Sequence, residues 1–127
     1  MTVMKVQSFE GLIAWQKARD LTKQIYCLTR REPFCRDFGL CSQMQRASVS
    51  IMANLAEGFE RGSSAEFHQF IVISKGSCAE LISHLYVALD IGYIKKEEFE
   101  TINAQAAEVS RILGGLKSSI LKRKLNP

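Results

Sequence analysis

The side chains best suited to bind a metal ion or to take part in catalysis are the two histidines and the carboxylates near them. A helical bundle that holds two metal ions uses Glu-x-x-His on two helices and one Glu on each of the other two. Here His68 follows Glu66 by two positions and His84 follows Glu80 by four, so neither pair has that spacing. The sequence therefore predicts no metal site and no cofactor.

Two other kinds of catalytic site also lack their sequence requirements. A Cys or Ser nucleophile needs a base within hydrogen-bond reach and an oxyanion hole, and helical bundles rarely supply the second. The segment 58–62 begins and ends with glycine, but it has neither the spacing nor the Lys-Ser/Thr pair of a phosphate-binding loop. We expect no catalytic residues and no enzymatic activity.

The four cysteines, at positions 27, 35, 41 and 78, form no C-x-x-C pair and have no zinc-finger spacing with the histidines. Buried free thiols in a reducing cytoplasm are the expected state. The first residues contain no apolar stretch followed by a small-residue cleavage site, so we expect no signal peptide. The apolar runs are shorter than the roughly 20 residues that span a bilayer. The sequence thus favours a cytoplasmic protein without a membrane segment.

A stripe of polar residues follows one side of the segment 40–61. Its members recur every three or four positions, as residues on one side of a helix do, and they alternate with small residues rather than with Lys and Glu. We interpret the stripe as a polar seam inside a bundle, with a ligand site as the alternative. Together with its counterparts on the next helix, the seam comprises Arg46, Ser50, Asn54, Glu57, Ser77 and Glu80.

The seam also predicts specific contacts between two helices. If the second and third helices form a hairpin that turns near residues 61–64, residues facing each other have numbers that sum to roughly 125, because both helices rise equally per residue. Arg46 is then level with Glu80, and Glu57 is level with His68. We expect a buried Arg46–Glu80 ion pair, with the Ser and Asn side chains satisfying the remaining polar groups.

The elements that position these residues are four helical blocks in which apolar residues recur every three or four positions. Ser8 is the expected N-cap of the first block, Ser63 and Glu66 form a capping box before the third, and Gly92 ends it. Short connections between long helices predict an all-α, antiparallel up-down-up-down four-helix bundle in one domain, 1–127. The blocks lie at about 9–31, 40–61, 64–91 and 96–122.

The net charge of +4 and the isoelectric point near 9.0 permit binding to nucleic acid. Clustered cations release counterions from a phosphate backbone, although solvated helix ends would show the same pattern. Few aromatic residues remain for stacking on bases, so strong sequence preference is not expected. The candidate phosphate-binding residues are Arg30 and Arg31 at one helix end and Lys117, Lys122, Arg123 and Lys124 at another.

Four aromatic residues at connectors and helix ends indicate that copies of the chain associate. A monomer would leave some of them exposed, and exposed apolar patches commonly become interfaces. We therefore expect a homo-oligomer. The residues concerned are Phe34, Phe38, Phe59 and Tyr93.

The sequence resembles the small proteins encoded in intervening sequences of bacterial large-subunit ribosomal RNA genes, which are similar in turn to the accessory protein of diversity-generating retroelements. The resemblance covers nearly the whole chain and is most specific in the second helix. Leu55 stands where that family has Ile, and Cys41 and Cys78 replace other residues. The matching positions are Trp15, Ala18, Gly39-Leu40, Gln43, Arg46-Ala47, Ser50-Ile51, Asn54, Ala56-Glu57-Gly58, Phe67, Phe70, Gly76-Ser77 and Glu80.

This resemblance implies a four-helix bundle that assembles into a ring-shaped homopentamer, with no established enzymatic activity. In the retroelement branch the basic ring associates with a reverse transcriptase and its RNA. The leading hypothesis is thus a non-enzymatic, basic, oligomeric bundle that binds RNA or DNA with little sequence preference. The alternative is a protein–protein adaptor, for example one that docks onto the reverse transcriptase of a retroelement.

Overall fold

The fold consists of four α-helices joined by short connections, in a computed structural model that describes the backbone of residues 6–125 and the side chains of residues 6–122. Within these residues there are no strands, which confirms the predicted all-α four-helix fold. A 3-10 turn precedes the first helix and another precedes the second. The helices are α1 Ile13–Thr29, α2 Phe38–Glu60, α3 Ser64–Ile91 and α4 Lys96–Leu125.

The first helix begins later than the pattern predicted. Ser8 lies before a 3-10 turn, Phe9–Gly11, and its side chain makes no capping hydrogen bond, so the predicted N-cap is wrong. The turn brings Phe9 edge-on against Trp15, with ring centroids 5.2 Å apart. Aromatic pairs favour this edge-on geometry. The contact between the two rings therefore offsets the α-helical hydrogen bonds that residues 9–11 do not make.

The starts of α2 and α3 are capped by side chains. Asp37 accepts a hydrogen bond from the backbone N–H of Leu40 (3.1 Å), and Ser63 accepts one from Glu66 (3.2 Å). The latter is the predicted capping box. At its other end α3 stops at Gly92, whose φ of 91° lies in the left-handed region that glycine tolerates.

Neighbouring helices meet in opposite directions. The end of α1 contacts the start of α4 through Arg31 and Glu98, and the end of α2 contacts the start of α3 through Phe59 and Phe67. These contacts fit an up-down-up-down arrangement. The core has one dominant apolar side per helix, with fully buried residues including Leu21, Ile25, Met44, Ile51, Leu55, Ile71, Leu81, Leu85, Val109 and Leu113.

Three serines are buried in this apolar interior. The Ser74 hydroxyl donates to the backbone carbonyl of Ile51 on α2 (2.9 Å), and the Ser48 hydroxyl donates to the carbonyl of Gln45 (2.9 Å). Ser77 bonds across to α2 as well. Each hydroxyl therefore has a partner, as buried polar groups require.

The glycine pair in α4 does not interrupt the helix, which continues from Lys96 to Leu125. A Cβ on Gly114 would lie 3.3 Å from Cε of Lys75, so the aliphatic part of that lysine covers the helix here. The Lys75 ammonium then reaches Ser110 Oγ at 3.2 Å. The close contact accounts for a small residue at position 114, while position 115 faces open space.

The outer side of α3 is unusually apolar. Five of its large apolar side chains are 41–57% exposed: Val72, Ile73, Tyr86, Val87 and Ile91. With 28 residues and a mean hydropathy of 1.2 over its most apolar window, α3 is long and apolar enough to cross a membrane by length and composition alone. Only 33% of that window is buried. This criterion is weak evidence, because core helices of soluble bundles also meet it.

Candidate nucleic-acid interface

Three residues of the predicted seam join in one network between α2 and α3. Ser77 donates to Ser50 Oγ (2.9 Å), while Asn54 Nδ2 donates to both the hydroxyl (2.9 Å) and the carbonyl (2.8 Å) of Ser50. Ser77 is 8% exposed and the other two are half-buried. The network therefore serves to satisfy polar groups between two packed helices.

The charged residues of the seam lie outside this network. Arg46 and Glu80 are both exposed, and among the described residues they form no ion pair with each other. Glu80 Oε2 instead lies 3.5 Å from Nε2 of His84, one helical turn away. The predicted buried pair is wrong because the two positions fall on the outer edge of the helix contact, where each side chain reaches solvent.

Glu57 is likewise exposed, and its partner is not His68. Its carboxylate lies 3.4 Å from Arg61, one turn further along α2. Arg61 also lies 3.5 Å from Glu66 and stacks over the ring of Phe70 at 5.1 Å. Glu57, which the sequence placed level with His68, therefore belongs to a charge cluster at the α2–α3 turn.

Arg31 has a structural role that the sequence pattern did not show. Its guanidinium bonds both carboxylate oxygens of Glu98, and Nη2 lies 3.1 Å from Oε1. Glu98 also accepts from the backbone N–H of Lys95 (2.9 Å). These hydrogen bonds lower the pKa of Glu98 to about 2. Arg31 thus links α1 to α4, and its charge is compensated within the chain.

Next to this pair, two aromatic rings close the end of the bundle. Phe34 is fully buried and stacks on Tyr93 with ring centroids 4.7 Å apart. The Tyr93 hydroxyl donates to Asp37 (3.0 Å), and this bond is the main cause that raises the pKa of Tyr93. Of the four aromatic residues at connectors and helix ends, Phe34 is buried and Phe38 is 80% exposed, which agrees with the expectation that a single chain leaves some of them exposed.

The predicted phosphate-binding residues fall at opposite ends of the molecule. Arg30 is exposed at the end of α1, whereas Lys117 is half-buried and Lys122 exposed near the end of α4. Glu98, which holds Arg31, and Lys117 are separated by roughly 28 Å along α4 at 1.5 Å per residue. The two groups do not form one site in a single chain. The side chains of Arg123 and Lys124 lie outside the described residues.

A surface groove of about 430 Å³ is a further feature that the sequence did not indicate. It lies where α2 approaches Tyr26 of α1. Its position could not be read from helical periodicity, because it depends on the rotation of one helix against the other. The lining residues are Tyr26, Ser42, Gln45, Arg46, Val49 and Ser50.

The cysteines are free thiols in different environments. Cys41 and Cys78 are buried, and burial raises the pKa of Cys78 to about 11. Cys27 is exposed, so the expectation that the thiols are buried is wrong at that position. Among residues 6–122, no cluster of three or more His, Cys, Asp or Glu side chains could hold a metal ion.

Comparisons with known proteins agree with this architecture. A crystal structure of a protein of unknown function from the S23 ribosomal protein family of Bacteroides thetaiotaomicron VPI-5482 superposes with a TM-score of 0.78 and 22% sequence identity, over 84% of this chain and 96% of that one. This likeness shows the fold. No protein with a curated description matches the chain. The family model of the 23S rRNA-intervening sequence protein matches residues 10–115. Since that match includes all of α1, α2 and α3 and most of α4, the chain belongs to the 23S rRNA-intervening sequence protein family.

Proposed function

We propose that the chain is a non-enzymatic, oligomeric bundle that binds nucleic acid through phosphate contacts with little sequence preference. The observation that carries the proposal is the charge distribution of α4. From Val109 to Pro127 the sequence contains five cations and no Asp or Glu. Such a stretch attracts a polyanion without reading base identity. The cations are Arg111, Lys117, Lys122, Arg123 and Lys124.

The assembly part of the proposal rests on the outer side of α3. The small exposed residues Gly76 and Ala79 lie between its two groups of exposed apolar residues, at 72–73 and 86–91, so a second helix could approach closely there. Soluble monomers rarely leave this many large apolar side chains of one helix in water. We propose that copies of this chain cover it, and the family resemblance favours five copies. Repetition of the α4 cations around a symmetric ring then raises the effective affinity without new contacts.

Fluorescence anisotropy tests the binding proposal. Labelled RNA and DNA of unrelated sequence are titrated between about 50 and 200 mM salt, where the counterion contribution changes strongly. We expect similar affinities for unrelated sequences and a steep loss of affinity with salt. Light scattering after size exclusion checks the assembly. Absence of binding at low salt by a correctly assembled protein contradicts the proposal.

A protein–protein adaptor is the second candidate, and the same apolar side of α3 favours it. In that case α3 docks onto a different protein, for example a reverse transcriptase, rather than onto other copies. The two candidate functions predict different oligomeric states, which light scattering measures. A monomer at micromolar concentration that binds no nucleic acid supports the adaptor.

A further inference from the structure

The outer surface formed by α1 and α2 carries cations that no carboxylate compensates. Lys23 and Arg30 lie one helical turn before and after Tyr26, and Arg46 lines the groove beside that ring. All three cations are exposed. Among the described residues none of them has an ion pair. We refer to these three cations as the basic face.

The nearby carboxylates are occupied elsewhere. α2 contains no Asp or Glu between Phe38 and Ala56. The one acid of α1, Asp20, lines a separate groove between α1 and α4. In the connector, Glu32 pairs with Arg36 at 2.8 Å, and Asp37 caps α2 and accepts from Tyr93. The basic face therefore presents charge of one sign to solvent, which sets it apart from the α2–α3 turn.

The groove on the basic face has the chemistry of a base-binding surface. The half-buried ring of Tyr26 and the side chain of Val49 offer apolar contacts. Gln45 uses its Nε2 to bond Thr29 (3.0 Å), so its side-chain oxygen remains an acceptor. The Ser42 hydroxyl is exposed and can donate or accept. An aromatic ring next to cations is the usual combination for unpaired bases and their phosphates.

The concave shape distinguishes between forms of nucleic acid. In a duplex the bases are stacked inside and the phosphates follow a convex surface, so only the backbone could meet this groove. An unpaired strand can turn a base into it. We infer that the basic face binds single-stranded nucleic acid, with phosphates on Lys23, Arg30 and Arg46 and a base against Tyr26. The inference rests on the proposed function, to which it adds a location and a strand preference.

The first test removes charge from the basic face. In Lys23→Gln/Arg30→Gln/Arg46→Gln, three cations are lost, and the matched control Lys95→Gln/Lys96→Gln/Arg61→Gln loses the same charge at exposed positions outside both the basic face and the α4 cations. With labelled oligo(dT) and oligo(rU), we expect at least a tenfold loss of affinity at low salt and a salt slope reduced by about 2 for the basic-face variant. The affinity of the control variant for the same oligonucleotides should fall less than threefold. An equal loss in both variants overturns the inference.

The second test concerns the ring. Tyr26→Leu should weaken single-strand binding about tenfold while changing duplex binding little, because stacking requires an aromatic surface. Tyr26→Phe keeps the ring and should bind as the wild type does. Equal affinity of Tyr26→Leu and wild type for oligo(dT) overturns the placement of a base in the groove.

Two controls keep the results interpretable. Light scattering must show that each variant assembles as the wild type does; if the Arg46 substitution disturbs assembly, Lys23→Gln/Arg30→Gln is compared with Lys95→Gln/Lys96→Gln. Failure of the proposed function looks different from failure of the inference. Wild type that binds no nucleic acid refutes both, whereas wild type that binds and a basic-face variant that equals its control refute the inference alone.

Discussion

Gly58 on α2 faces Phe70 on α3 so closely that a Cβ added to Gly58 would lie 2.5 Å from the Cβ of Phe70. Gly58 is buried, and the rings of Phe67 and Phe70 surround it. The glycine therefore sets the separation of the two helices beside their connecting turn. Any side chain at this position forces the helices apart.

The first prediction follows from this contact. Gly58→Ala should destabilise the fold by about 1–3 kcal/mol, as overpacking does, even though alanine is the better helix former by about 1 kcal/mol. Gly115→Ala in α4 is the control, since a Cβ there meets open space; it should stabilise by up to about 1 kcal/mol. Urea unfolding measures both. Equal effects of the two substitutions would contradict the close contact.

The second prediction concerns pH. The pKa of Glu98 is lowered to about 2 by its bonds with Arg31 and the Lys95 backbone. The stabilisation is therefore fully present above the ordinary carboxyl pKa of about 4.3 and is lost as pH falls through about 2. Because the Arg31 side chain is 45% exposed, solvent screening limits the effect to about 1 kcal/mol. The unfolding free energies of wild type and Glu98→Gln should converge as pH falls from 6 to 2; a constant difference argues against the pair.

The third prediction separates the two parts of the seam. Ser77→Ala should cost about 1 kcal/mol, because it removes a hydrogen bond to Ser50 at a buried position. Arg46→Ala should cost less than about 0.5 kcal/mol, because Arg46 is exposed. Thermal melts of both variants provide the comparison. A loss of several kcal/mol for Arg46→Ala would restore the buried pair with Glu80 that the structure does not show.

The fourth prediction concerns thiol reactivity. Cys27 is exposed, whereas Cys78 is fully buried and has a pKa raised to about 11. Because the thiolate is the reactive form, Cys27 should react with a thiol reagent in the native protein and Cys78 only after unfolding. Labelling of wild type and Cys27→Ser, followed by mass spectrometry, identifies the modified position. Comparable native rates at both cysteines would mean that α3 opens readily.

The features that the sequence predicted well are those set by neighbours in the chain. Residues 64–91 show an uninterrupted apolar repeat, begin at a capping box and end at glycine, and α3 has these bounds. The 3-10 turn before α1 was missed because it is stabilised by packing of Phe9 on Trp15 and not by a local cap. Contacts between residues six or more positions apart thus override the pattern.

The candidate site was less predictable, because it depends on how neighbouring helices are rotated and on contacts between residues far apart in the sequence. Periodicity identifies the inner side of a helix, but residues at its edge, such as Arg46, face inward or outward according to how the next helix is rotated. The serines of the seam lie between the helices, whereas Arg46 and Glu80 lie just beyond them. The pair of Arg31 and Glu98 joins residues 67 positions apart, which no local pattern records.

The buried serines have a consequence for how the chain chooses among alternative packings. The hydroxyl of Ser74 meets the carbonyl of Ile51, and that of Ser77 meets Ser50. If α3 slipped by one turn along α2, the apolar side chains would still find apolar neighbours and Ser74 could reach the carbonyl of the next turn, but Ser77 would lose Ser50 at about 1–3 kcal/mol. An entirely apolar interface could be as stable and would tolerate such shifts. The hydrogen bond between Ser77 and Ser50 therefore favours one register of α3 along α2, at little gain in stability.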